Sequence, residues 1–184
     1  MIIDTHLERK ILRNYFFIVG TIKDINAKYF INKINKEILK DNAKSFTTNV
    51  QGKMTYCNSF LNDPEFTKLF IRFRDYIDLN QLFKDCRYLL SDAWGYVLKE
   101  NNYTIEHDHL PHVWSGAVYL NDHPQTLDFP EINISVKPKK GRFVLFSSFL
   151  RHGCKTNETN KAKYGLSFNC RNNNSVVENL KLNK

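Results

Sequence analysis

Two textures divide the chain. Up to about residue 90, apolar residues recur every three to five positions; from Trp94 onward they come in short runs of strand length. The apolar run "ILRNYFFIV" (residues 11–19) predicts a strand. The following "IKDINAKYFINKINKEILK" places Ile22, Ile25, Tyr29, Ile34 and Ile38 on one stripe, the pattern of an amphipathic helix. A second helix is announced by its start signals: Asn62 or Asp63 as cap, Pro64 in the first turn and Glu65 behind it. Phe66, Leu69, Phe70, Phe73 and Ile77 then line one face. A related stripe (Leu82, Phe83, Cys86, Leu89, Leu90) predicts helix again as far as Leu90, after a break at "DLN". Such stripes bury themselves in a core and carry no chemistry.

Beyond residue 93 the runs "AWGYVLK", "VWSGAVYL", "EINISVK", "RFVLFSS" and "YGLSFNCR" read as strands, separated by the turn signals "NDHPQ", "KPKKG" and "TNETNK". Helices first and strands afterwards predict an α+β fold, a β-sandwich or barrel buttressed on one side by helices. There is no internal repeat and no linker, so residues 1–184 are read as one domain. Residues 1–92 are mainly helical support, 93–171 the β-core and 172–184 a peripheral tail.

Composition changes this picture little. With 42% apolar and 14% aromatic residues, the chain is not a disordered polymer. Its longest apolar runs, "NYFFIVG" and "FVLFSSFL", are strand-sized and far short of a membrane span. The amino terminus mixes acid and base from residue 4 onward, unlike a signal peptide, so a cytoplasmic protein without membrane attachment is expected. Cys57, Cys86, Cys154 and Cys170 show no C-x-x-C pairing and are read as reduced structural thiols. The net charge of +8 would suit an anionic partner, but it is spread over both halves, and lysines outnumber arginines. Charge alone supports nucleic-acid binding only weakly.

The chemistry gathers in "TIEHDHLPHVWSGAVYLND". Four of the six histidines fall between residues 107 and 123, and His152 follows the strand "RFVLFSS". In an extended segment, residues i and i+2 share a face. His107 and His109 can therefore converge on one ion while Asp108 points away. His112 lies beyond a Leu-Pro bend that hides its direction. A third ligand from a distant strand would complete a three-ligand face with open positions opposite, and His152 is the candidate.

The segment 94–169 resembles the prolyl-4-hydroxylase-like superfamily of 2-oxoglutarate- and Fe(II)-dependent oxygenases, most closely its small bacterial and phage branch. The likeness rests on four ordered blocks: "HDH", "SGAVYL", "PKKGRFVLFSSFLRH" and "KYGLSFN". It implies a double-stranded β-helix (a jelly-roll, cupin-like core) supported by N-terminal helices, in the cytoplasm of a bacterium or phage-infected host. It also implies a dioxygenase that hydroxylates an unactivated C–H bond, using Fe(II), 2-oxoglutarate and O2, with ascorbate as a candidate reductant. His107 and His152 match the family's histidine ligands. Tyr119 matches the tyrosine that binds the distal carboxylate of 2-oxoglutarate. Lys163 stands where an arginine usually serves that carboxylate; it keeps the charge and gives up the bidentate fork. Ser167 shares the Lys163 face. The family pattern is His-x-Asp, whereas here the i+2 residue is His109 and the carboxylate is Asp108. Strand alternation favours His109 as third ligand, giving three neutral imidazoles; a backbone kink would bring in Asp108 instead.

Two other classes stay open at this stage. A tri-histidine zinc enzyme, a hydrolase or lyase, would need no dicarboxylate anchor. A catalytically silent β-helix would act as a binding module. The expected partner is a peptide, with proline as one acceptor, or a small molecule; oligomeric state is open. Trp94, Tyr96 and Trp114 are the aromatic residues expected around the pocket.

Overall fold

A computed structural model describes the backbone of residues 2–4 and 78–79 and, in full, residues 15–40, 48–77 and 88–172. The tail beyond residue 172, the stripe residues Leu82, Phe83 and Cys86, and the first four residues of "ILRNYFFIV" lie outside the described residues.

Two antiparallel sheets face each other. The larger contains β1 (Ile2–Asp4), β2 (Phe17–Thr21), β4 (Lys53–Met54), β5 (Tyr88–Leu98), β7 (Trp114–Tyr119), β10 (Arg142–Ser147) and β12 (Lys163–Asn172). Its order is β1-β2-β10-β7-β12-β5-β4. The smaller contains β3 (Val50–Gln51), β6 (Tyr103–His107), β8 (Leu127–Phe129), β9 (Ile134–Val136) and β11 (His152–Cys154). Its order is β3-β6-β11-β8-β9. This is a jelly roll, in which strands neighbouring in space are distant in sequence. Helices α1 (Ala27–Lys40) and α2 (Pro64–Leu79) cover the outer face of the larger sheet.

The alternation of side chains across the larger sheet produces two cores. Outward, Ala93, Val97, Val118, Leu145, Leu166 and Phe168 meet the buried helix residues Phe30, Ile34, Phe66 and Phe73. Each such aliphatic or aromatic burial stabilises by about 1.5–3 kcal/mol. Inward, Phe17, Ala117, Tyr119, Val144 and Phe146 meet Leu127, Phe129, Val136 and Cys154 of the smaller sheet.

The pairing of β12 with both β5 and β7 sets the inner face in rungs. Asn169 lies opposite Asp92 and Ser115; Ser167 opposite Trp94 and Ala117; Gly165 opposite Tyr96 and Tyr119; Lys163 opposite Leu98. Polar residues thus enter an otherwise apolar interior as one ordered column. Gly165 is needed there, because a Cβ at that position would lie 2.3 Å from the Tyr96 hydroxyl.

Several boundaries differ from the sequence reading. Leu89 and Leu90 belong to strand β5 and not to a helix, since their backbones pair with Arg171 and Cys170. The first long strand runs from Phe17 to Thr21, and α1 begins only at Ala27, after Ile22 and Ile25. "EINISVK" is split into a short 3-10 turn (Pro130–Ile132) and β9. Trp114 points to the helix side, stacked on Phe70 at 5.9 Å, and not toward the pocket. Three free cysteines are described, Cys57, Cys154 and Cys170, with no disulfide among the described residues. No helix among these residues is long and apolar enough to cross a membrane.

Asp63 is the cap of α2. Its Oδ1 accepts the Phe66 backbone N–H at 2.9 Å, while Oδ2 accepts the Tyr29 hydroxyl at 2.7 Å and faces Lys33 of α1. One buried carboxylate therefore starts the second helix and ties it to the first. Asp63→Ala removes both functions and is expected to lower the urea-unfolding free energy by roughly 2–3 kcal/mol, the sum of a lost cap and a lost charged hydrogen bond.

Candidate metal centre

The smaller sheet brings two histidines side by side. His107, the last residue of β6, pairs in register with His152, the first of β11. From there the register slips: Cys154 pairs with Thr104, so three residues of β6 span two of β11. This bulge lets Thr104 and His107, three apart, both line the same cleft. The close strand approach at the bulge depends on Gly153. A Cβ there would stand 2.9 Å from the Thr104 carbonyl oxygen and 3.1 Å from the Glu106 Cα, both backbone atoms that cannot swing aside.

His109 joins them from the loop just past β6, not from a regular strand. Its backbone N–H donates to the Ser148 carbonyl at 2.8 Å, and its own carbonyl accepts from His112 at 3.0 Å. The three rings form a triangle with centroid separations of 4.6–4.9 Å. One ligating nitrogen from each residue lies within 4.8 Å of the other two. The Nδ1–H groups of His107 and His152 donate to the Ile105 and Leu150 carbonyls at 2.7 and 2.9 Å. Both rings are thereby left with the Nε2 lone pair available. The Nε2 atoms of His109 and His152 stand 3.2 Å apart. Two imidazoles bound to one ion at about 2.1 Å and a right angle would stand about 3 Å apart, so this spacing suits neighbouring ligands.

Burial keeps the rings neutral. It pushes His109 down to about 2 and His152 to about 3, with the neighbouring imidazoles adding to the effect, and it lowers His107 as well. His152 is packed against Phe129 and edge-on to Phe146. Neutral, pre-oriented nitrogens are what a divalent metal requires. Asp108 is turned elsewhere: its Oδ1 accepts the Leu110 N–H at 3.0 Å within the turn.

The triad sits on a cleft that Trp94, Tyr96, Ala117, Phe146 and Ser167 also line. Farther along the polar column, the Tyr119 hydroxyl is buried without a hydrogen-bond partner. Lys163 is fully buried; among the described residues its Nζ reaches the Gln125 carbonyl at 3.3 Å and the Cys154 sulfur at 3.2 Å. No carboxylate among the described residues pairs with it. A buried lysine and a buried hydroxyl lacking acidic partners form a setting that an incoming carboxylate would complete.

Other residues near the site were given no role by the sequence. Gln125, which offers its carbonyl to Lys163, spans with its amide to the Asn102 and Lys155 carbonyls. His123 is structural: Nδ1 accepts the Gln125 N–H at 3.1 Å and Nε2 donates to the Lys161 carbonyl at 3.0 Å. Asp92, Ser115, Ser148 and Asn169 form a connected polar chain behind the His109 loop. Read one at a time along the chain, these are ordinary strand and turn residues.

No protein-family model matches the chain, and no curated protein does either. Solved structures do match. The viral collagen prolyl hydroxylase of Paramecium bursaria Chlorella virus-1, in complex with 2-oxoglutarate, superposes with a TM-score of 0.62 at 18% identity, over 85% of this chain and 94% of that one. HygX of Streptomyces hygroscopicus, with nickel and 2-oxoglutarate bound, gives 0.64 at 12% identity, over 85% and 82%. A Trichoplax adhaerens prolyl hydroxylase, in complex with a hypoxia-inducible-factor peptide fragment, gives 0.62 at 13% identity, over 91% and 87%. At such identities the likeness establishes the fold: the chain has the jelly-roll fold of the 2-oxoglutarate-dependent oxygenases.

The bulge makes Gly153→Ala informative. It is expected to displace β11 from β6 and weaken divalent-metal binding at least tenfold, read by titration calorimetry, with the circular dichroism of the metal-free protein close to wild type. Acidification supplies a second test. The unfolded histidines titrate near 6.5, well above the buried values, so the unfolded state takes up protons first as pH falls. The metal-free protein is expected to lose stability steadily from about pH 6.5 toward pH 3, and His109→Phe should flatten that slope in urea-unfolding curves.

Proposed function

We propose that this protein is an Fe(II)- and 2-oxoglutarate-dependent dioxygenase that hydroxylates an unactivated C–H bond and releases succinate and CO2. The observation that carries the reading is a cleft holding three histidines with two complementary polar groups buried behind it. Three neutral imidazoles, that of His152 buried and the other two half-buried, converge on the cleft, and Lys163 and the unpartnered Tyr119 hydroxyl lie in the interior beyond it. The jelly-roll fold shared with proteins solved with 2-oxoglutarate and nickel supports it.

In this reading His107, His109 and His152 hold the metal through nitrogen, and Asp108 stays outside the ligand set. A metal held there would supply the oxidising chemistry of the reaction, with 2-oxoglutarate and O2 as co-substrates. The chain's own task is to bind, orient and keep water out. Lys163 and Tyr119 receive the distal carboxylate of the co-substrate, and Ser167, one rung nearer the triad than Gly165, adds a hydroxyl along the way. Trp94, Tyr96 and Phe146 give the cleft apolar walls, which strengthen charged contacts inside it. The acceptor is a peptidyl side chain or a small molecule; the peptide-bound Trichoplax structure supports the former.

The test combines metal, co-substrate and product. Anaerobic Fe(II) plus 2-oxoglutarate should give a weak visible absorption band, and air should then release succinate. His152→Ala should abolish both. Lys163→Ala should keep the metal and raise the 2-oxoglutarate Kd roughly 10- to 100-fold, the range for losing a charge-assisted hydrogen bond of about 1.5–3 kcal/mol. A protein that binds only zinc, forms no band and yields no succinate would be a tri-histidine hydrolase or lyase or a silent module, and the oxygenase reading would fall.

A further inference from the structure

The third ligand position depends on a part of the chain remote from it. His109 belongs to the loop between β6 and β7, beyond the last β6 residue and next to the exposed Leu110. No ladder hydrogen bond of the smaller sheet holds it. What holds it are hydrogen bonds to its own peptide groups: beside the His112 backbone N–H that its carbonyl accepts at 3.0 Å, there is one contact on each side that leads back to the same carboxylate.

The first arm starts at the His109 carbonyl. It accepts Nδ1–H of His112 at 2.8 Å, and the other nitrogen of that ring, Nε2, lies 3.0 Å from Asp92 Oδ2. The second arm starts at the His109 N–H, which donates to the Ser148 carbonyl at 2.8 Å. The Ser148 hydroxyl is 2.7 Å from the Ser115 hydroxyl, which donates to Asn169 Oδ1 at 2.8 Å. Asn169 Nδ2 completes the chain by donating to Asp92 Oδ2 at 3.3 Å. Ser115, Ser148 and Asn169 are buried, so each depends on these partners. Asp92, Asn169 and Ser115 form the rung nearest the loop on the inner face of the larger sheet.

We propose that Asp92 and His112 are positioning residues that clamp the His109 peptide and thereby select His109, rather than its neighbour Asp108, as the third metal ligand. The proposal rests on the oxygenase reading only in taking the triad as the metal site. Asp108 and His109 are adjacent on a short loop, and sliding that loop by one residue would bring the Asp108 side chain to the metal position. With the N–H of His109 bonded to Ser148 and its C=O to His112, that shift breaks the hydrogen bonds on both sides at once. The carboxylate meanwhile has its own place, accepting the Leu110 N–H. Partners behind a ligand typically alter metal affinity 10- to 100-fold when removed.

The experiment loads the full-length protein with Co(II) in place of iron and records affinity together with the visible ligand-field spectrum. His112→Ala should weaken Co(II) binding at least tenfold and shift the spectrum toward that of a site with one oxygen ligand in place of nitrogen. Adding Asp108→Asn to His112→Ala should abolish that shifted spectrum, while Asp108→Asn alone leaves the wild-type spectrum. His112→Asn puts an amide N–H near the place of Nδ1 and should restore most of the affinity, which a general packing defect would not allow. Asp92→Asn should behave like a weaker His112→Ala. Thermal unfolding of the metal-free variants reports folding separately. If His112→Ala binds Co(II) within twofold of wild type with the same spectrum, the clamp is wrong and the triad stands. If wild type holds Co(II) no better than His152→Ala, the metal site itself is wrong and both readings fall.

Discussion

Everything in this molecule hangs on the double pairing of β12. By bonding to β5 on one side and β7 on the other, it aligns Asp92, Asn169 and Ser115, then Trp94, Ser167 and Ala117, then Tyr96, Gly165 and Tyr119. Side chains that lie up to about 80 positions apart in sequence become neighbours because β pairing is non-local. The opposite faces of the same strands bury Ala93, Val97, Val118, Leu166 and Phe168 under two helices. One register therefore sets the stabilising core outside and the polar column inside, and a slip by one residue would exchange them.

The smaller sheet contributes little apolar mass and most of the chemistry. Its strands β6 and β11 are five and three residues long, and they supply His107 and His152. Short strands hold such positions only when braced, and Phe129, Phe146 and Leu150 supply the bracing from within. The same packing shields His152 from water and helps keep it neutral. Stability and ligand readiness here have one cause, the burial of aromatic rings against histidine.

Legibility in the sequence followed the range of the interactions. Both helices could be read, because caps and three-to-four-residue stripes are local; Asp63, Pro64 and Glu65 start α2 as their types predict. The long strands β5, β7, β10 and β12 were visible as apolar runs, while β3, β4, β8 and β11, two or three residues each, were not. Leu89 and Leu90 read as helix because a four-residue apolar pattern near a helix mimics its stripe; pairing with β12 decided otherwise. The structure brings together the three histidines that the sequence singled out, although alternation was the wrong reason for His109. The roles of Asp92, Ser148 and Gly153 were not legible, since what they do depends on strands that the sequence does not show to be adjacent.

The bulge opposite Gly153 has a consequence for how this chain can vary over time. Thr104 faces the cleft from an even position and His107 from an odd one, with the single extra residue between them changing the parity. Side chains such as Ile105 and Glu106, both exposed, are free to drift. The kink is not. Regular alternation over the same residues would turn the imidazole of His107 to the outer surface. Along this short strand, inheritance acts on the course of the backbone more strictly than on the identity of the side chains.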